Sequence, residues 1–542
     1  MAETAHLDTF VRDHLPPEAE WPELIFTIPD VQYAERVNCG AELLDRMVEA
    51  GFGDRPCLRS PSLAWSYAET LERVNRIARV LVDEMGVVPG NRVLLRAPNS
   101  PMLAACWLAV MKAGAVAVTT MPLLRAVELE KIVRKAAIRH ALCDARLAEE
   151  LERCRQAVPT LDRILYFGGD ALDGLEARMR RQSDDFEACP TLAEDPALIA
   201  FTSGTTGVPK GCVHFHRDVL AMCDTFSRHI VKPLPDDLFS GSPPLGFTFG
   251  LGGLLCFPLR VGASTLLLEQ APPHVLPEAI ETFRVTCLFT APTAYRLMLS
   301  QLSSRNVSSL RRCVSAGETL PKATFEAFRE ATGIRLIDGI GATEMIHIFI
   351  SAADDDIRPG TTGRPVPGYV ATVFDEEFNE CPPGVPGRLA VKGPTGCRYL
   401  ADERQRQYVQ RGWNITGDTY VRDADGYFAY VARSDDMIVS AGYNIAGPEV
   451  EAALLTHPAV LECGVVGAPD PERGQIVKAY VVLRPGYEAG PALVAELQHH
   501  VKTTIAPYKY PRAIEFVHEL PKTLTGKLQR YRLRESAARQ PA

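Results

Sequence analysis

Residues 198 to 214 read LIAFTSGTTGVPKGCVH. An apolar run delivers the chain into a segment holding three glycines, four hydroxyl residues and one lysine between Thr202 and Gly211. Residues this small let backbone N–H groups and hydroxyls converge on one point, a concave nest that favours an anion, above all a phosphate. Gly204, Gly207 and Gly211 permit close approach or a positive φ. Pro209 limits mobility, and Lys210 adds a positive charge. The order is not that of a Walker A loop, G-x-x-x-x-G-K-[ST], because Pro209 precedes the lysine and Gly211 follows it. A flexible surface turn is the plain alternative for a Gly/Ser/Thr cluster, and the ordered TSGTTGVPKG is far more specific than that.

Outward from this stretch, helical and strand patterns alternate. SYAETLERVNRIARVLVDEMG has apolar residues at helical spacing and a glycine stop. RVLLRA, AVAVTT, HALCDA and RILYFG read as short buried strands between helices, the pattern of a helix-covered parallel sheet. The most membrane-like segment, 101–124, is interrupted by Lys112 and Gly114, and a mid-bilayer lysine costs roughly 2.5–3.5 kcal/mol. It reads as a buried helix (102–112) followed by a buried strand (115–120). After about residue 365 the pattern changes to strands around Pro/Gly turns, a smaller β unit. From Asp436 onward GPEVEAALLTHPAV and PALVAELQHHVKTTI read as helices, ECGVVGAP and KAYVVLRP as strands. The expected class is α/β: a large N-terminal domain, 1–433, of helix-covered, largely parallel sheets plus a small β unit, and a small mobile α+β C-terminal domain, 434–542.

Composition narrows the function. A net charge of -9 argues against general nucleic-acid binding, which needs a clustered cationic surface. The acidic start lacks the apolar core of a signal peptide, so no nucleic-acid or membrane partner is expected. Fourteen cysteines without a C-x-x-C pair fit neither a zinc site nor a small disulfide framework, and reduced thiols in a cytoplasmic protein are expected.

Five further segments carry the reading to function: SAGETL (315–320), DGIGATEM (338–345), ITGD (415–418), RSDDMIVSAGYNI (433–445) and PKTLTGKLQR (521–530). Together with the opening loop, and in this order, they resemble the adenylate-forming superfamily of acyl- and aryl-CoA ligases, peptide-synthetase adenylation domains and luciferases. The resemblance implies a two-step reaction using ATP, Mg2+ and coenzyme A. A carboxylate attacks the α-phosphate and releases pyrophosphate; a thiol then displaces AMP from the acyl-adenylate.

It also implies site residues. Thr202, Ser203, Gly204, Thr205, Thr206 and Lys210 would cradle the β- and γ-phosphates. Glu344 matches the magnesium carboxylate, and Thr343 would bond the α-phosphate. Gly317, Glu318, Asp338, Gly339 and Ile340 would line the adenine slot, Asp418 would hold the ribose diol, and Tyr430 and Arg433 would close the site. Lys527 matches the catalytic lysine between the attacking carboxylate and the α-phosphate. Asp435 matches the hinge, and Gly442 would border the pantetheine tunnel.

The acid pocket is expected around PPLGFTFGLGG and the residues after DGIGATEM. LGFTFG lacks the aspartate with which amino-acid-activating domains pair an ammonium. Phe247, Phe249, Ile340 and Ile348 suit a flat apolar ring, with Gly250 and Gly341 giving clearance; Thr248 and His347 are its polar candidates. DGIGATEMIHIFIS, GTTGRPVPGY and APYKYPRAIEFVHELPKTLTGKLQR resemble benzoate- and 2-aminobenzoate-CoA ligases, and DHLPPEAEWPELIF resembles the latter branch more. The expected partners are therefore an aromatic acid, ATP and CoA, with an acyl-carrier protein and a homodimer left open. A nucleotide-binding regulatory pseudoenzyme is the contrasting alternative.

Overall fold

The computed structural model describes residues 3–169, 172–202, 209–433, 436–440, 443–470, 473–505, 507–523 and 528–539. Its first sheet has the strand order Arg163–Phe167, His140–Asp144, Arg92–Arg96, Val116–Thr120, Pro196–Thr202, Lys210–Phe215. All neighbours run parallel except the last pair, an antiparallel hairpin. Central strands such as Arg92–Arg96 and His140–Asp144 are buried along their whole length, as a sheet covered on both faces requires.

The covering helices start where their sequences allow. Ser66 accepts the Glu69 N–H, and the Glu69 carboxylate accepts the Ser66 N–H, a reciprocal cap for Tyr67–Arg79. Ser100 caps Pro101–Lys112, with Pro101 in the first turn where its missing N–H costs nothing. That helix and the strand Val116–Thr120 account for segment 101–124, as its sequence predicts. Lys112 is enclosed because Asp45 and the Asn75 carbonyl oxygen receive its ammonium, each at 2.5 Å. Among the described residues no helix is long and apolar enough to cross a membrane.

The second sheet has nine strands, in the order Arg364–Pro365, Ile348–Ser351, Ile337–Gly341, Arg312–Ala316, Cys287–Thr290, Leu238–Gly241, Ser264–Leu266, Pro56–Ser60, Leu63–Ser66. It is parallel in the middle and antiparallel at both edges. The β unit follows as an antiparallel sheet in which Trp413–Arg422 pairs with Gly387–Lys392 on one side and Phe428–Arg433 along the other.

The C-terminal unit pairs Val460–Asp470, Gly474–Leu483 and Ala513–Phe516, flanked by Gly447–Leu455, Pro491–Thr504 and Arg530–Arg539. It buries its own core around Ile438, Val450, Leu454, Val465 and Leu497. One arrangement has no signature in the sequence reading: the N-terminal segment straps the large domain. Thr4, Ala5 and Arg12 all reach the Asp195 carboxylate, and further along the chain the Glu23 N–H bonds the Gly412 carbonyl.

Candidate active site

The strands on either side of the opening segment, Pro196–Thr202 and Lys210–Phe215, form an antiparallel hairpin with Thr202 paired to Lys210 at its neck. Ser203, Gly204, Thr205 and Thr206 lie outside the described residues. Gly211 is closely packed: a Cβ there would stand 3.0 Å from Ile199 and 3.2 Å from the Phe201 ring, so either side chain would have to give way slightly. From the neck, the Lys210 ammonium reaches the Tyr399 hydroxyl at 3.0 Å and stands 3.8 Å from the Glu344 carboxylate. Tyr399 donates its hydroxyl to the same carboxylate at 2.5 Å. Burial, and then the Glu344 charge, push the Tyr399 phenol far above its usual range, so it keeps its proton and donates it to Glu344 while its oxygen accepts from Lys210.

Thr343 and Glu344 occupy one tight turn, Thr343–Met345, joining Ile337–Gly341 to the antiparallel Ile348–Ser351. Ile346, next in sequence, has φ 64° and ψ -37°, an uncommon state for a β-branched residue that surrounding contacts must hold. The donor set suits magnesium. Among the described residues no cluster of three metal-binding side chains exists, and a single carboxylate beside a phosphate cradle matches an ion that keeps waters and takes phosphate oxygens. Glu344 would hold it.

The residues expected around adenine sit on neighbouring parallel strands, where Ser315 pairs with Asp338 and Ala316 with Gly339. Gly317 takes φ 91°, a conformation natural only to glycine. At Gly339 a Cβ would meet Ile348 at 2.7 Å. Half-buried Ile340 lies one residue on. Asp338 Oδ1 is buried with no hydrogen-bond partner. Burial pushes this carboxyl up to about 8, against the Gly339 N–H, which favours the charged form.

Glu318 accepts the N–H and hydroxyl of Thr293, at 3.3 and 2.7 Å, at the start of helix Pro292–Leu302. One turn further, Arg296 donates to the Leu461 carbonyl at 2.8 Å and faces Glu462 at 3.8 Å, both on the C-terminal unit. Asp418 and Arg433 are register partners; the Arg433 side chain and the whole of Asp435 and Gly442 lie outside the described residues. The Tyr430 ring meets Tyr420 edge-on at 5.5 Å.

Lys527 also lies outside them, but its flanks do not. Lys522 and Leu528 form a bridge, the Gln529 N–H bonds the Pro521 carbonyl, and Lys522 and Arg530 pair with Glu462 and Glu451.

The residues expected around the acid have varied surroundings. Phe249 is half-buried and packs on Phe289 and His347 at 5.8 and 5.7 Å. Phe247 precedes it and the buried Thr248 begins the short helix Thr248–Leu251. Ile348, by contrast, is core, packed on Gly339. Gly250 and Gly341 are dictated by backbone: a Cβ would lie 2.1 Å from the Pro244 carbonyl oxygen and 2.9 Å from that of His347. His347 is enclosed by Phe226, Phe249 and Phe257, at 4.6 to 5.7 Å. Neither ring nitrogen has a well-formed hydrogen bond, and burial lowers its pKa to about 3 although the Phe249 backbone favours the charged ring. The imidazole is neutral.

Lys210, Tyr399 and the Glu344 carboxylate thus meet in one polar cluster. The chain belongs to the AMP-binding enzyme family: the family's main domain matches residues 46–399, and the C-terminal domain of AMP-binding enzymes matches 449–527. A benzoate–CoA ligase of Thauera aromatica is 36% identical, covering 94% of this chain and 98% of the relative. The crystal structure of the anthranilate CoA ligase AuaEII in complex with anthranoyl-AMP superposes with TM-score 0.90 at 36% identity, covering 94% and 99%. A benzoate CoA ligase from Burkholderia xenovorans LB400 follows at TM-score 0.84 and 32% identity, covering 92% and 100%. With likeness of this extent to such ligases, the chain is an AMP-forming acid–thiol ligase.

Proposed function

We propose that this chain is an aryl-CoA ligase activating 2-aminobenzoate, with benzoate as its close alternative. The observation that carries the reading is the near-complete match to an anthranilate CoA ligase. The acid pocket supports it. A neutral imidazole has one acceptor nitrogen to offer an N–H, and an ortho-amino group is the substituent that supplies one. Phe249 offers the apolar face for the ring.

In the first half-reaction a carboxylate oxygen of the acid attacks the α-phosphorus of ATP, and the bond to the bridging oxygen of pyrophosphate breaks. Two anions meet, so positioning and charge neutralisation supply the catalysis. Thr202, Ser203, Thr205, Thr206 and Lys210 hold the β- and γ-phosphates, Thr343 the α-phosphate, and Asp418 the ribose. Lys527 places its ammonium between the reacting anions. Glu344 holds magnesium, which neutralises phosphate charge when bound. In the second half-reaction the CoA sulfur attacks the acyl carbonyl and AMP leaves. The small domain, divided from the large one at 433/434, turns about Asp435 and brings Gly442 to the pantetheine path. The proposal places the enzyme in the cytoplasm, where its fourteen unpaired cysteines stay reduced.

The test is product mass after incubation with ATP, magnesium, CoA and a panel of acids, followed by kcat/KM for each. Aryl-CoA and AMP, with 2-aminobenzoate or benzoate preferred over 4-hydroxybenzoate, are expected. Preference for a long fatty acid, or no exchange of labelled pyrophosphate with any aromatic acid, overturns the reading.

A further inference from the structure

The turn that presents Thr343 and Glu344 is anchored from outside by three side chains. Tyr399 donates to the Glu344 carboxylate, Thr395 donates its hydroxyl to the Met345 carbonyl at 2.9 Å, and His214 Nε2 stands 2.7 Å from the Thr343 carbonyl. A carbonyl carries no proton, so Nε2 is the donor. His214 sits on the hairpin strand Lys210–Phe215 and is wholly buried. Its other nitrogen, Nδ1, faces the Asp218 carboxylate at 3.7 Å.

Asp218 is itself fixed. It accepts Arg398 at 2.9 Å and the Phe215 N–H at 3.0 Å, and both charged side chains are fully enclosed. The Arg398 guanidinium lies 4.1 Å from the centre of the Phe215 ring. A row of enclosed groups, Arg398, Asp218, His214, thus ends on one carbonyl of the active-site turn. Burying such charges is costly, and a turn carrying a β-branched residue at positive φ needs an external hold.

We propose that His214 is a positioning residue for acyl-adenylate formation: its Nε2–H fixes the Thr343 carbonyl and thereby aims Thr343 and Glu344 at the triphosphate and its magnesium. This rests on the roles given to Thr343 and Glu344 above. The competing account is that His214 only satisfies the neighbouring Asp218.

Two amides separate the accounts, because a glutamine amide reaches where Nε2 stands and an asparagine amide reaches only where Nδ1 stands. His214→Gln keeps the donor to Thr343, and His214→Asn keeps only the contact with Asp218. Loss of one hydrogen bond corresponds to about tenfold in an equilibrium or rate. We therefore expect His214→Asn to raise the magnesium concentration that half-saturates ATP binding about tenfold and to lower kcat of pyrophosphate exchange similarly. KM for the aromatic acid should stay within about twofold, since the acid is held elsewhere.

His214→Gln should recover most of both losses. Equal behaviour of the two variants, better magnesium use by His214→Asn, or an acid KM that moves as far as the magnesium requirement overturns the proposal. If neither variant folds, the role is structural and the proposal falls. ATP binding titrated with magnesium requires no knowledge of the acid, so it reads the proposal even where exchange is absent. Absence of exchange in the unaltered chain counts against the aryl-ligase reading alone.

Discussion

On the large-domain side of the site, Asp218 and Arg398 meet at 2.9 Å with neither side chain exposed. On the C-terminal side, Arg296 and Glu462 stand 3.8 Å apart with side chains 20% and 16% exposed, and Lys522 meets Glu462 at 2.7 Å while itself 35% exposed. The first pair is out of water and leaves no freedom; the second is wet, long and screened by salt. The groups expected to receive a dense anionic charge thus rest on an enclosed support, whereas the C-terminal unit meets the large domain through a partly exposed arginine. Such a seat would serve the departure and return of the small unit proposed above.

The largest test of this contrast is Asp218→Asn. It leaves Arg398 as an uncompensated buried charge and should cost about 3–5 kcal/mol of stability, read by denaturant unfolding. A loss below about 1 kcal/mol would erase the distinction between the two sides. Lys527→Ala comes next, and its effect is confined to chemistry. Carboxylate-dependent pyrophosphate exchange should fall about 10²–10³-fold, while thioester formation from supplied acyl-adenylate is largely spared; equal loss of both steps removes Lys527 from its role.

Arg296→Ala should then cost no more than about 1 kcal/mol, and its effect should vanish in high salt. A salt-independent loss would mean the seat is not electrostatic.

A test of pH dependence concerns Asp338. Its folded-state pKa of about 8 exceeds the ordinary 3.8, so the folded chain binds the proton more tightly than the unfolded one. That stability is complete below the unfolded value and fades as pH rises toward and through about 8. Asp338→Asn should flatten this decline in melts of the ligand-free protein between pH 5 and 9.

Much of this molecule is readable along the chain. Ser66, Pro101 and the glycine stops mark helix ends, and apolar runs such as those in Arg92–Arg96 and His140–Asp144 mark the enclosed strands. Those signals are local, set by caps and by side-chain period. Thr343, Glu344 and Lys210 were legible because they stand in ordered motifs, and the fold brings Lys210 and Glu344 together. His214, Asp218 and Arg398 were not. Arg398 lies 180 residues from Asp218, and no periodicity links positions joined only by tertiary packing. Nor does the sequence show that Ile348 packs against Gly339, or that backbone crowds Gly250 and Gly341, since these neighbours meet only in the folded chain.

Helix Pro292–Leu302 has its first turn tied to Glu318, a residue expected to line the adenine site, and its Arg296 resting on the C-terminal unit. The two attachments are separated by about one turn, roughly 5 Å of rigid rod. A compound that pried Glu318 outward would tilt the platform on which its neighbour stands. A fluorophore placed on that neighbour would report, from a distance, whether the purine berth is full.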